Sequence, residues 1–180
     1  MQIQLWLRDK QASGTYQVLL GGPGLGKTAL SCVVAKRASS TDGGDTVPTL
    51  LYISKAGQSP RDILKFLLWQ ASAFLDDSQP ASFYQGGLLD LRDRLIGTLA
   101  QIVNTKGGVL VVIDGLDEIV GVADEPARVL QFLPDTLPDG VRILLTSRPI
   151  DSAIGHLSRR LQALTSVELM PLVAADAASA

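Results

Sequence analysis

Gly21-Gly22-Pro23-Gly24-Leu25-Gly26-Lys27-Thr28 fits the pattern G-x-x-x-x-G-K-[ST], which spaces glycines, a lysine and a hydroxyl to hold phosphate. Glycines tolerate positive φ and let backbone N–H groups converge on an anion. A helix starting at the same point adds its partial positive charge. Lys27 can then reach the β and γ phosphates of a nucleotide, and Thr28 is placed to offer its hydroxyl to Mg²⁺. A glycine-rich turn that binds nothing would have the same composition, so the flanking elements must decide between the two.

Two further strand ends carry matching chemistry. Val109-Leu110-Val111-Val112-Ile113-Asp114 is an apolar run closed by a carboxylate, suited to the coordination sphere of Mg²⁺, usually through water. Gly115-Leu116-Asp117-Glu118 adds Asp117 and Glu118 at the same rim. Either could orient or deprotonate an attacking water, and the plainer alternative makes both solvated charges capping the next helix. Val141-Arg142-Ile143-Leu144-Leu145 runs into Thr146-Ser147-Arg148-Pro149. That places Arg148, a permanently charged planar donor, where a γ phosphate would lie, with a surface ion pair as its alternative. Arg142 is expected at the opposite end of that strand.

The hydrophobic pattern supplies the elements that must position these groups. Residues 16–20 have the character of a short buried strand, and 28–38 carry helical apolar spacing at Leu30, Val33, Val34 and Ala38. Short apolar runs recur at 50–53, 109–113, 141–145 and 167–169; being continuous, they predict strands buried on both faces. Ser59-Pro60-Arg61-Asp62 offers an N-cap with proline at the first helical position, leading into Ile63, Leu64, Leu67, Leu68, Ala71, Phe74 and Leu75. Leu88, Leu91, Leu95, Ile96, Leu99, Ile102 and Val103 trace another helical face, and Trp69 is expected in the core. Alternating strands and helices predict an α/β fold: a mainly parallel sheet with helices on both faces, right-handed crossovers, and functional groups at the carboxyl ends of the strands. Residues 39–48, 76–87 and 134–140 read as loops.

The 180 residues suit one domain, and 46% hydrophobic content argues against disorder. A net charge of −2 offers no basic field for nucleic acid, so none is expected as a partner. Cys32 stands alone, which excludes an intrachain disulfide and a multi-cysteine metal site; it is expected to pack as a small buried apolar group, and a reducing cytoplasm suits it. No signal-peptide pattern opens the chain, and the most apolar long segment, 63–75, contains Lys65 and Gln70 and is shorter than the ~20 residues of a spanning helix. No membrane partner is expected. Residues 1–173 read as one nucleotide-binding core and the alanine-rich 174–180 as a tail that frays or marks a cut.

Together the three motifs resemble the NACHT branch of the signal-transduction P-loop ATPases with numerous domains, the STAND class. The glycine loop from Gly21 to Thr28 resembles the Walker A motif, Asp114-Gly115-Leu116-Asp117-Glu118 that branch's extended Walker B, and Thr146-Ser147-Arg148 its sensor 1 element. Typical AAA+ ATPases place a catalytic glutamate directly after the Walker B aspartate, and Gly115 at that position favours NACHT. The resemblance runs from about residue 5 to about 171. It implies a three-layer P-loop NTPase fold with a five-stranded sheet ordered 2-3-4-1-5, the glycine-loop strand being number 1. It also implies Lys27 and Thr28 on phosphate and Mg²⁺, Asp114 on Mg²⁺, Asp117 or Glu118 on the water, and Arg148 on the γ phosphate. The chain has no upstream motif for adenine and no winged-helix or helical lid after 171, so it is expected to be the core of something larger, with other domains as partners and nucleotide-dependent oligomerisation left open.

Two functions follow as expectations: slow Mg-dependent hydrolysis of a nucleoside triphosphate as a switch, or a nucleotide-binding scaffold with little turnover. A small-molecule kinase is disfavoured, because 119–138 holds no arginine-rich lid, and Arg159 and Arg160 come late and read as helix surface. ATP is favoured over GTP by the resemblance and by the lack of an N-K-x-D element. His156, the one histidine, has no acidic or hydroxyl companion in sequence to make it an active base.

Overall fold

A computed structural model describes residues 14–40, 46–75, 79–120, 126–149, 151–161 and 164–169. The strands are β1 (Thr15–Leu20), β2 (Thr49–Ile53), β3 (Val109–Asp114), β4 (Val141–Ser147) and β5 (Leu164–Glu168). They pair in parallel in the order β2-β3-β4-β1-β5, the order the family resemblance implies. Helices α1 (Lys27–Ser39), α2 (Pro60–Ser72), α3 (Leu88–Lys106), α4 (Leu116–Val120), α5 (Pro126–Val129) and α6 (Asp151–Arg160) lie between them, with 3₁₀ turns at Ala81–Tyr84 and Leu130–Phe132.

Strand alternation decides which helix each residue meets. Val109, Val111 and Ile113 of β3 and Val141, Ile143 and Leu145 of β4 join the larger core with Leu64, Leu67 and Leu68 of α2 and Leu91, Leu95 and Leu99 of α3. The intervening Leu110, Val112 and Leu144 face the other way and pack with Val34 and Ala35 of α1. Asp114 and Thr146 stand two residues beyond Val112 and Leu144. The alternation that buries the core therefore turns both toward α1.

The helix starts follow local rules. Ser59 caps α2, its hydroxyl accepting from the Asp62 N–H at 3.2 Å, with Pro60 at the first helical position. The open edge of β2 is closed from the side. Gln70 accepts from the Leu51 N–H and donates to the Leu51 carbonyl, both at 2.9 Å, so one side-chain amide takes the place of a missing strand.

Several expectations fail where helix faces or sheet edges are concerned. Trp69 is 60% exposed, because α2 buries the stripe Ile63, Leu64, Leu67, Leu68 and Ala71, and Trp69 stacks with Phe66 on the outside. On α1 the buried residues are Ser31, Val34 and Ala35, which turns Val33 and Cys32 outward. The last strand covers Leu164–Glu168 rather than 167–169 and is half exposed, since β5 pairs with β1 alone and forms an edge. Arg160 is no plain surface residue: it donates to the carbonyls of Leu130 and Leu133 and pairs with Asp135 at 2.6 Å. Residues 174–180, and the limits of the resemblance near 5 and 171, lie outside the described residues.

Candidate functional site

β1 delivers the glycine loop. The Gly21 N–H donates to the Ser147 carbonyl at 3.2 Å, tying the loop's start to the end of β4. Gly24 and Gly26 have φ of +76° and +79°, and a Cβ at either would meet nothing within 4 Å, so the need for glycine is conformational rather than spatial. Gly26 is also the N-cap of α1, and no side chain caps that helix. Its first-turn N–H groups are left for an anion held by the loop. Lys27 Nζ lies over the loop, donating to the carbonyls of Gly21 at 2.7 Å and Gly22 at 2.9 Å.

β4 separates β1 from β3, so Asp114 comes from a strand that does not touch the glycine-loop strand. It reaches α1 across the end of β4. Thr28 Oγ1 donates to Asp114 Oδ2 at 2.6 Å, and Ser31 Oγ donates to Oδ1 at 3.1 Å. Thr146 Oγ1 donates to Oδ1 at 2.6 Å while accepting the Gly115 N–H at 2.9 Å. Asp114 is 4% exposed. An unpaired carboxylate so deeply buried would cost several kcal/mol, and three hydroxyl donors offset that cost.

Beyond Asp114 the chain turns sharply at Gly115, with φ of +80°. A side chain here would be strained and would press on Glu118 Cγ at 3.3 Å and Ser54 Cβ at 3.4 Å. Glu118 and Ser54 thus both stand beside the turn, where a Cβ would project. The Ser54 N–H donates to the Asp114 carbonyl at 2.9 Å, and its buried hydroxyl has no hydrogen-bond partner among the described residues. Asp117 turns to β4's end: Oδ1 accepts the main-chain N–H of Arg148 at 3.1 Å, and Oδ2 pairs with Arg148 Nε at 3.0 Å. Glu118 Oε1 stands 3.8 Å from Arg148 Nη2.

The residues singled out in the sequence therefore fall into two adjoining groups. Lys27, Thr28 and Asp114 gather around the loop and the first turn of α1; Asp117, Glu118 and Arg148 gather where β3 and β4 end. Ser31, Thr146 and Ser54 were not singled out for roles in the site. Ser31 lies one helical turn after Thr28, on the same face, which was a usable signal. Thr146 follows β4's alternation, whereas Ser54 becomes visible only through pairing of β2 with β3.

The donor set around Asp114 is all oxygen. Among the described residues no cluster of three or more His, Cys, Asp or Glu is placed to hold a metal ion. One carboxylate and a neighbouring hydroxyl, with further ligands from phosphate and water, is the set that suits Mg²⁺ rather than a cation needing an all-protein cage. Among the described residues no helix is long and apolar enough to cross a membrane.

A parallel sheet in this order, with a glycine loop running from β1 into α1 and a carboxylate closing β3, defines a P-loop NTPase domain, here of the NACHT type. Residues 1–148 match the family described as Nephrocystin 3, N-terminal, and the chain belongs to that family. It is 29% identical over 168 residues to the NACHT domain- and WD repeat-containing protein 1 of Homo sapiens, covering 89% of this chain and 10% of that protein. The Mus musculus protein of the same name is 26% identical over 170 residues, with the same coverage. The chain thus spans about a tenth of the length of the curated relatives it matches. Among solved structures it resembles the Aeropyrum pernix ORC2 protein in its ADP form, with a TM-score of 0.62 at 16% identity, over 93% of this chain and 46% of that one. The Drosophila ORC bound to DNA is similar over 89% of this chain and 39% of that one, with a TM-score of 0.58 at 20% identity. At such identities the likeness is one of fold.

Proposed function

We propose that this chain binds a nucleoside triphosphate, ATP in preference to GTP, and hydrolyses it slowly with Mg²⁺, as the switch core of a larger signalling NTPase. In this reading residues 1–173 are the core and 174–180 a tail. The observation that carries it is the 2.6 Å contact between Thr28 and Asp114, residues 86 apart in sequence. It brings the phosphate-binding helix and the carboxylate strand to one point. Thr28 turns its proton to Asp114, which leaves the oxygen's lone pairs for a cation. A bound Mg²⁺ would supply positive charge between the β and γ phosphates, with Thr28 and Asp114 holding it.

The remaining roles fall to residues of this chain. Lys27 would exchange the carbonyls of Gly21 and Gly22 for phosphate oxygens, and the loop from Gly21 through Pro23, Leu25 and Gly26 to Thr28 would cradle the rest with its N–H groups, other than that of Gly21, which Ser147 holds, and Pro23, which has none. Arg148 would contact the γ phosphate, and Asp117 or Glu118 would act on the attacking water. The ADP named for the Aeropyrum ORC2 structure and the NACHT relatives support a nucleotide as ligand. The relatives' much greater length supports partner domains in the same protein.

The test is a titration of labelled ATP and GTP, with and without Mg²⁺, against the chain and its Lys27→Ala variant. Losing two charge-assisted contacts should weaken Mg-ATP binding about a hundredfold. Equal affinity in the two proteins would sink the proposal. Tight binding without phosphate release would instead favour a scaffold role.

A further inference from the structure

We infer that Ser31 helps select the cation: with Thr146 it holds Oδ1 of Asp114, leaves Oδ2 as the one oxygen of that carboxylate open to a ligand, and so favours Mg²⁺ over Ca²⁺ beside the nucleotide. The inference rests on the nucleotide-binding reading above and gives a role to a residue outside the glycine loop's pattern.

Ser31 is an unexpected residue for its place. α1 turns Ser31, Val34 and Ala35 into the fold, and Ser31 is fully buried. An apolar side chain would pack there at no polar cost, whereas a buried hydroxyl left without a partner costs about 1–3 kcal/mol. A serine inside a helix can satisfy itself at the carbonyl four residues earlier. This one reaches across to β3 instead and donates to Asp114 Oδ1 at 3.1 Å.

An ionised carboxylate offers about four lone-pair sites, two on each oxygen, and has no proton to give back. Oδ1 accepts from Ser31 and also from Thr146, whose own oxygen takes the Gly115 N–H. Both donors are fully buried, so water does not readily replace either. Among the described residues Oδ2 accepts from Thr28 alone. The lone pair left open is therefore on Oδ2, next to the Thr28 oxygen, which keeps its own lone pairs. Asp114 can meet a cation, directly or through a water of its shell, with one oxygen and not with both.

That restriction distinguishes two common divalent cations. Mg²⁺ is small, demands near-octahedral ligands and keeps several waters, while Ca²⁺ takes about six to eight oxygens and accepts both oxygens of one carboxylate. A carboxylate held to a single open oxygen withholds what Ca²⁺ would gain and takes nothing from Mg²⁺. Ser31 is thus a positioning residue that acts through Asp114, with Thr146 as its counterpart on the sheet.

The experiment measures the affinity of the 180-residue chain for labelled ATP with Mg²⁺, with Ca²⁺ and with a chelator, each metal in excess over nucleotide, and repeats it for Ser31→Ala and Ser31→Thr. The parent chain should prefer Mg-ATP to Ca-ATP. Ser31→Ala should narrow that preference about tenfold, the value of one charge-assisted hydrogen bond expressed as a binding ratio, while its metal-free affinity stays that of the parent. Ser31→Thr keeps the donor and should keep the preference; a loss matching that of Ser31→Ala would count against the role. A merely structural serine would lower all three affinities by one factor and leave the Mg/Ca ratio untouched. That result overturns the inference, and so does a parent chain that binds the two complexes equally well. Should Ser31→Ala not fold, Thr146→Val, which takes the other donor from Oδ1 at nearly the same side-chain volume, should narrow the ratio in the same direction, and an unchanged ratio overturns the inference there too. Failure of the underlying reading looks different: the parent chain would not bind Mg-ATP, or Lys27→Ala would bind it equally well.

Discussion

Ser31 donates to Asp114 Oδ1 at 3.1 Å from a position one helical turn beyond Thr28, so two side chains of α1 hold one carboxylate of β3. Ser31 is itself fully buried, and water cannot readily replace it. Ser31→Ala should cost about 1.5–3 kcal/mol, the value of a hydrogen bond to a charged acceptor. Urea unfolding should show this as a lower midpoint at unchanged slope. An unchanged midpoint would mean that Thr28 and Thr146 satisfy Asp114 without it.

The paired bonds between Gln70 and Leu51 predict a change in association rather than in nucleotide handling. Gln70→Leu would uncover one N–H and one carbonyl on an edge strand, next to the exposed Ile53 and Trp69. Such an edge is a template for pairing with another chain. Sedimentation velocity over a concentration series should show the variant self-associating at concentrations where the parent chain does so less. Identical profiles would count against the edge-capping role.

Tyr16 links stability to alkaline pH. Burial pushes its phenol well above the usual tyrosine value; Asp135 pushes the same way, while Arg160 and Arg92 pull against them. Its hydroxyl donates to the Pro134 carbonyl at 2.7 Å. Below about pH 10 the phenol is neutral in folded and unfolded chains alike, so its contribution is fully present there. Above that, the unfolded chain loses the proton that the folded chain keeps, and stability falls as pH rises. Tyr52, raised by its burial and by Asp62, adds a slope of the same sign. Tyr16→Phe should therefore flatten the alkaline loss and cost about 1–2 kcal/mol near neutrality, because the Pro134 carbonyl loses its donor. Denaturant unfolding between pH 7 and 11 measures both.

Gly115 makes the turn that separates Asp114 from the two rim acids. Gly115→Ala would place a side chain at φ of +80° and push against Glu118 and Ser54. The left-handed conformation alone should cost about 1–2 kcal/mol, read as a lower Tm. Because Lys27 and the glycine loop lie away from this turn, Mg-nucleotide affinity should fall less than phosphate release does. Equal losses in both would show that the turn supports the whole site rather than the rim acids.

Where strand content and loop chemistry carried the signal, the fold was legible in the sequence. Runs such as 109–113 and 141–145 sit on both faces of a covered sheet, and their apolar content leaves few alternatives. Helix faces were less legible. Val33, Cys32 and Trp69 are apolar enough for a core, and the packing partner, not the residue type, decided that α1 buries Ser31 and α2 turns Trp69 outward. Arg160 shows the same limit, since its carbonyl acceptors at Leu130 and Leu133 precede it by about thirty residues and meet it only after folding. At the site, the one-dimensional pattern named Asp117 and Glu118 together. Only the three-dimensional contact separated them, by placing Arg148 on one and Gly115 and Ser54 beside the other.

β4 lies between the glycine-loop strand and the carboxylate strand, and Thr146 at its end bonds to both Asp114 and Gly115. A slip of one residue in the register of β4 would exchange its two faces. Leu145 or Ser147 would then stand where Thr146 does, Asp114 would lose a donor, and Arg148 would leave the strand at a different height. Within the glycine loop no residue would change, and the contact at risk there would be the Gly21 N–H to the Ser147 carbonyl. The length of β4 is thus as much a part of the site as any side chain in it, and a single-residue insertion there would disable the rim while leaving each recognisable motif intact.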